Sequence, residues 1–174
     1  MGVVQRKSMR LNEYDYSSPG YYYVTFCTKD RIEWFGKVEK EQMIYNTYGE
    51  TACQIWENIP FHYRNVDTDE YIVMPNHIHG IIVIREKNVG TEQCSVPTKT
   101  MNKRYGLLSK VVKSFKDVYK KTLRNQFHVD DFDWQRSFYD HIIRSEKSLY
   151  HIRRYIINNP LKWEVDKNNP KNWE

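Results

Sequence analysis

His77-Ile78-His79 places two imidazoles two residues apart, between Asn76 and Gly80, at the head of a β-rich run. Side chains alternate along a strand, so both histidines project to one face with Ile78 on the other, a spacing that can chelate one ion. The same pair also reads as two histidines that only hydrogen-bond at a strand end. Gly80 permits close approach of another backbone or of a ligand. A second group stands near the C-terminus, where His151, Tyr155 and Asn159, four apart, share a helical stripe flanked by Ile152 and Ile156. A tyrosine on such a stripe usually packs with its hydroxyl satisfied. Here Asn159, one turn on, offers a carbonyl oxygen that could complete a metal site begun by the histidines, bringing an ion within reach of the Tyr155 hydroxyl. His151 reads either as an assistant to that tyrosine or as a plain surface histidine. Tyr119 is a rival nucleophile among lysines, but its place one turn after Phe115 on an apolar stripe assigns it to the core.

Charge supplies the other signal. Of the 174 residues, 27 are Lys or Arg and 22 Asp or Glu, for a net +5. From Arg104 to Gln126 the cations are Arg104, Lys110, Lys113, Lys116, Lys120, Lys121 and Arg124 against Asp117 alone, so this one segment exceeds the charge of the whole chain. Phosphates attract cations and unstacked bases attract aromatic faces, and aromatics make up 15% of the chain. A solvated lysine face is the alternative reading of the same pattern.

These residues need elements to hold them. Tyr21 to Thr28, after a Ser-Ser-Pro-Gly turn, reads as a strand. Met43, Ile44, Ala52, Ile55 and Trp56 recur with helical spacing from about Glu39 to Ile59, interrupted by Gly49 and stopped at Pro60. Val66 to Met74 and His77 to Arg85 read as a hairpin turning at Pro75 and Asn76. Residues 86–103 have no period and read as a long loop, a kind that is usually functional or disordered. Leu108, Val111, Val112, Phe115, Val118 and Tyr119 form the apolar face of a basic helix over Tyr105 to Leu123. A short strand is expected within Trp134 to Ile143, then a helix from about Glu146 to Asn159 ended by Pro160. The order β-α-β-β-α-β-α is that of an α+β, ferredoxin-like antiparallel sheet with an added C-terminal helix, as one domain over 1–174 with an N-terminal arm at 1–20.

Composition excludes other classes. The longest aliphatic run, Ile81 to Ile84, is far below the ~20 residues of a spanning helix, and residues 1–10 hold no signal-like apolar stretch. Membrane spanning and Sec-type secretion are not expected. Cys27, Cys53 and Cys94 are odd in number and widely spaced, which fits a reducing cytoplasm better than a disulfide framework.

Taken together, Met74-Pro75-Asn76-His77-Ile78-His79, Trp134 to Arg144 (WQRSFYDHIIR) and Tyr155-Ile156-Ile157-Asn158-Asn159-Pro160 resemble the REP-associated tyrosine transposases, chromosomal relatives of the single-tyrosine transposases with a His-hydrophobic-His (HUH) motif. Arg10-Leu11, Tyr14-Asp15-Tyr16 and the strand Tyr23 to Thr28 also fit, so the resemblance spans about residues 6 to 166. It implies that His77, His79 and Asn159 bind Mg²⁺ or Mn²⁺, nitrogen ligands favouring Mn²⁺. Tyr155 is then the nucleophile, and single-stranded or hairpin DNA is cleaved through a 5′-phosphotyrosine and rejoined. Insertion-sequence relatives commonly carry Gln at the Asn159 position, a longer reach than this chain has. The implied DNA contacts are Arg6, Lys7 and Arg10 in the arm, and Lys110, Lys113, Lys116, Lys120 and Lys121 on the basic helix. Monomer and homodimer both remain open. A catalytically silent DNA-binding protein of the same fold is the competing reading. A histidine-triad hydrolase is disfavoured because Ile81 stands where its third histidine should be.

Overall fold

A central sheet orders the chain in the computed structural model, which describes residues 10–11, 13–86 and 106–172. Its strands are β1 (Gly20–Cys27), β4 (Val66–Met74), β5 (His77–Ile84) and β6 (Tyr139–Ile143), in the order β4-β5-β1-β6 with every neighbour antiparallel. Helices α1 (Thr47–Glu57) and α3 (Gly106–Phe127) cross between strands, with the one-turn α2 (Ile59–His62) after α1. The helix α4 (Glu146–Ile157) follows β6. This is the ferredoxin-like arrangement with an added C-terminal helix that the sequence pattern predicts. Among the described residues no helix is long and apolar enough to cross a membrane.

Alternation along the strands splits the sheet into two faces. Tyr22, Val24 and Phe26 of β1 and Ile78, Ile82 and Ile84 of β5 turn towards α1 and α3, where they join Trp56, Leu108, Val111 and Phe115 in the main core. The other face is a smaller apolar cluster of Ile81, Ile143, Leu149 and Ile156 under α4. Tyr23, Thr25, His77 and His79 belong to this second face. Gly80 serves the first: a Cβ there would lie 2.3 Å from the Trp56 indole, so the glycine makes room for a core ring rather than for a ligand. Tyr119 is fully buried and donates its hydroxyl to the Tyr48 carbonyl at 3.1 Å, which makes it a core residue.

Two expectations need correction. The helix expected over 39–59 begins only at Thr47, capped by Asn46, whose side chain accepts from the N–H groups of Tyr48 and Gly49. Before it lies a hairpin of β2 (Gly36–Glu39) and β3 (Gln42–Tyr45), turned by Lys40 and Glu41 with φ of 48° and 63°. Both turn residues are left-handed without being Gly or Asn, so the usual hairpin signature is missing. The short strand expected within Trp134 to Ile143 is Tyr139–Ile143, and Trp134 makes an isolated bridge to Thr28. The arm expected at 1–20 is partly built into the fold, since Tyr16 is buried and Gly20 already belongs to β1. Arg6, Lys7 and residues 87–103 of the expected loop lie outside the described residues.

Candidate metal and tyrosine site

β5 enters directly from the Pro75-Asn76 turn, which sets His77 and His79 at the start of the strand on the α4 face. Both are buried, and their Nε2 atoms approach to 3.0 Å. Burial, with the mutual effect of the two rings and nearby cations, holds His77 well below the usual imidazole range. Burial holds His79 down at about 3. Both imidazoles are therefore neutral at physiological pH, the form that donates a lone pair to a metal.

The Nδ1 atoms are occupied elsewhere. His77 Nδ1 lies 2.9 Å from Asn76 Oδ1, and His79 Nδ1 lies 2.7 Å from both the Tyr23 hydroxyl and Thr25 Oγ1. Partners on the far nitrogen orient each ring and turn Nε2 inward, as outer partners of metal-binding histidines do. At 3.0 Å the two Nε2 atoms are within hydrogen-bond distance of each other and close enough for both to reach one ion.

Oxygen donors come from the segment that ends α4. Asn158 closes α4 at φ −89° and ψ 9°, and Asn159 follows at φ −62° and ψ −41° with its N–H donating to the Ile156 carbonyl, which keeps its side chain beside Tyr155. Asn159 is 1% exposed and its Oδ1 has no hydrogen-bond partner, an arrangement that costs free energy unless a ligand completes it. Asp166, just beyond the 3-10 turn Pro160–Val165, brings a carboxylate oxygen within 4.8 Å of the histidine nitrogens. Two neutral imidazoles with amide and carboxylate oxygens form a mixed nitrogen and oxygen donor set that could hold a metal ion. Asp166 has no signal in the sequence pattern because it follows Pro160, where helical periodicity stops.

Tyr155 projects from α4 over this pair, its ring edge-on to His79 with centroids 5.4 Å apart and 6.3 Å from that of Tyr23. Burial pushes its phenol above the usual value; hydrogen bonding from the Asn159 and Tyr23 side chains opposes this, and the nearby Asp166 charge adds to it. α4 is seated by Leu149 and Ile156 and by Arg153, whose Nε donates to Asp69 Oδ1 at 2.8 Å. Asp69 lies in a register irregularity of β4 between Thr68 and Tyr71, a bulge that re-aims its side chain. His151 is exposed and packs against its neighbour Tyr150.

A groove of about 1530 Å³ is lined by Tyr23, Thr25, His79 and Tyr155, and also by Lys113, Lys116 and Lys120 of α3. Gln135, Arg136 and Lys167 line it as well. Lys110 and Lys121 are exposed on α3 outside that lining. The lysines inside it are partly engaged within the chain. Lys116 Nζ donates to the Gln135 carbonyl at 2.9 Å and lies 5.4 Å from the Phe26 ring centroid, while Lys120 pairs with Asp133 at 3.0 Å. Burial brings Lys116 down to about 8. Arg10 also borders the groove, but its Nε pairs with Asp140 at 2.8 Å and its guanidinium covers the Phe138 ring.

An uncharacterized protein of Haemophilus influenzae is 40% identical over 171 residues, 95% of this chain and 93% of that one. A second H. influenzae protein, a "Putative REP-associated tyrosine transposase", is 26% identical over 85% of this chain and 74% of its own length. Among solved structures, a REP-associated tyrosine transposase bound to a REP hairpin has a TM-score of 0.48 and 17% identity, over 93% of this chain and 74% of that one. No family model matches the chain.

Proposed function

We propose that the chain is a REP-associated tyrosine transposase, the family its motifs resemble and for which one relative at 26% identity is named, and that it cleaves and rejoins single-stranded DNA beside a hairpin, using Tyr155 as the nucleophile. The observation that carries the reading is the position of Tyr155 against His79, above two neutral imidazoles whose Nε2 atoms converge, in a groove shared with the lysines of α3.

His77 and His79, with Asn159 and Asp166 supplying oxygen, would hold a divalent cation, Mn²⁺ or Mg²⁺. When bound, such an ion polarises a phosphate oxygen and offsets charge gathering on the phosphoryl group. The chain's own groups do the rest. Tyr155 Oη attacks phosphorus, the P–O3′ bond breaks, the phenol proton passes to water in the groove and the departing 3′ oxygen takes a proton from water. One strand is then joined to the protein as a 5′-phosphotyrosine. The Asn159 and Tyr23 side chains steady the phenolic oxygen and favour its negative charge. Attack by a second 3′-hydroxyl reverses the step and joins strands without a nucleoside triphosphate. Lys113, Lys116 and Lys120 contact phosphates along the groove, with Lys110 and Lys121 extending that face and Arg6, Lys7 and Arg10 contributing from the N-terminal arm.

The test is a covalent adduct. Incubating the protein and Mn²⁺ with a hairpin oligonucleotide carrying a single-stranded 5′ flank is expected to give a protein–DNA band that survives denaturation, absent in Tyr155→Phe. An adduct formed equally by Tyr155→Phe would remove Tyr155 from this role. Tight hairpin binding by the wild type with no nicking under Mn²⁺ or Mg²⁺ would favour the silent DNA-binding protein.

A further inference from the structure

Asn76 stands between the chain-breaking Pro75 and the first histidine, and it is fully buried. Its side-chain amide is used completely. Nδ2 donates to the backbone carbonyls of Arg31 at 2.9 Å and Asn168 at 2.8 Å. Only the NH₂ end of an amide can serve two carbonyl oxygens, so the orientation of Asn76 follows from its partners. Oδ1 therefore faces His77 Nδ1, at 2.9 Å. An amide oxygen only accepts, which puts the imidazole proton on Nδ1 and leaves the lone pair of His77 on Nε2, directed at His79.

The second partner leads to the other side of the site. Asn168 accepts from Asn76 through its carbonyl and donates its own N–H to Asp166 Oδ1 at 2.6 Å. One buried side chain thus touches both the histidine and the segment that presents the carboxylate. Trp163, from the same segment, lies beside the His77 ring, with centroids 6.0 Å apart and planes tilted by 31°.

We propose that Asn76 is a positioning residue that assembles the ligand set, fixing the Nδ1–H tautomer of His77 and anchoring the C-terminal segment that carries Asp166. The inference rests on the reading that His77 and His79 hold a divalent cation. It assigns Asn76 no contact with DNA or with the ion.

The experiment uses the full chain labelled with ¹⁵N-histidine. Long-range ¹H–¹⁵N spectra of the metal-free wild type are expected to show His77 protonated at Nδ1 and bare at Nε2. Asn76→Ala removes the acceptor and should convert His77 to a mixture of tautomers. Asn76→Asp keeps an acceptor for Nδ1–H but loses both donors, so it should retain the tautomer while freeing the segment around Asn168. Mn²⁺ affinity, read by electron paramagnetic resonance, should fall about 10–100-fold in the alanine variant and less in the aspartate variant. A folded wild type with His77 protonated at Nε2 overturns the inference, as does unchanged Mn²⁺ affinity in both variants. If Asn76→Ala does not fold, the wild-type tautomer and Asn76→Asp decide the matter. A wild type that binds no Mn²⁺ defeats the metal reading instead, and the tautomer measurement still decides the role of Asn76.

Discussion

The ring of Tyr155 meets the imidazole of His79 edge-on, at 69° with centroids 5.4 Å apart, although 76 positions separate them along the chain. Helix α4 brings them together by lying on the face of the sheet from which the histidines point. In the proposed function this contact couples the histidine pair to the nucleophile. His77→Ala is expected to weaken Mn²⁺ binding at least tenfold and to abolish metal-stimulated nicking while leaving hairpin affinity within about threefold. Calorimetric Mn²⁺ titration with a parallel gel-shift assay reads both. An equal rate with and without chelator would remove the ligand role.

Gly80 should tolerate no side chain. Its missing Cβ leaves room for the Trp56 indole, which also stacks on Tyr71. Gly80→Ala is expected to cost about 1–3 kcal/mol of stability through overpacking, measured by urea denaturation. A wild-type midpoint would mean the indole has space to move.

Asp69 governs the seating of α4. Its carboxyl is held below the usual range chiefly by hydrogen bonding from Arg153. A depressed folded pKa adds stability above the unfolded value near 4, which is lost as the pH falls through the folded value. Arg153 is 38% exposed, so screening limits the pair to about 1 kcal/mol. Asp69→Asn should therefore lower the melting temperature by about 2–4 °C at pH 7 and make no difference well below pH 4. An undiminished gap at low pH would show that the ion pair is not its source.

Lys116 should make hairpin binding sensitive to alkali. Its ammonium, desolvated beside Phe26 and Trp134 and partly supported by the Asp133 carboxylate, loses its proton as the pH rises through about 8. Hairpin affinity is expected to drop several-fold between pH 7 and 9 in the wild type and to stay flat in Lys116→Arg, whose guanidinium remains charged. Parallel profiles for the two proteins would exclude Lys116 as the titrating contact.

The sheet, its strand order and the basic helix are legible in the sequence because Tyr21 to Thr28, Val66 to Arg85 and Leu108 to Tyr119 carry strong periods and clear breakers. The β2–β3 hairpin is not, since Lys40 and Glu41 adopt left-handed turn conformations that neither residue advertises, and Met43 and Ile44 happen to fall in step with the helix after them. His77, His79, Tyr155 and Asn159 can be picked out because their spacing makes sense within one strand and one helix. Asp166, Tyr23 and Asn76 cannot. Asp166 lies beyond a proline in a segment without period, Tyr23 looks like any aromatic of a core strand, and the importance of Asn76 depends on two backbone carbonyls from distant parts of the chain.

The docking of α4 on its own sheet, through Ile156, Leu149 and the Arg153–Asp69 pair, also bears on genetics in the test tube. In the proposed function imidazoles and phenol then come from the same polypeptide, and two crippled copies would have nothing to lend one another. Mixing His77→Ala with Tyr155→Phe should yield no nicked hairpin at any ratio, and recovery of activity in the mixture would mean that the helix changes hands between molecules.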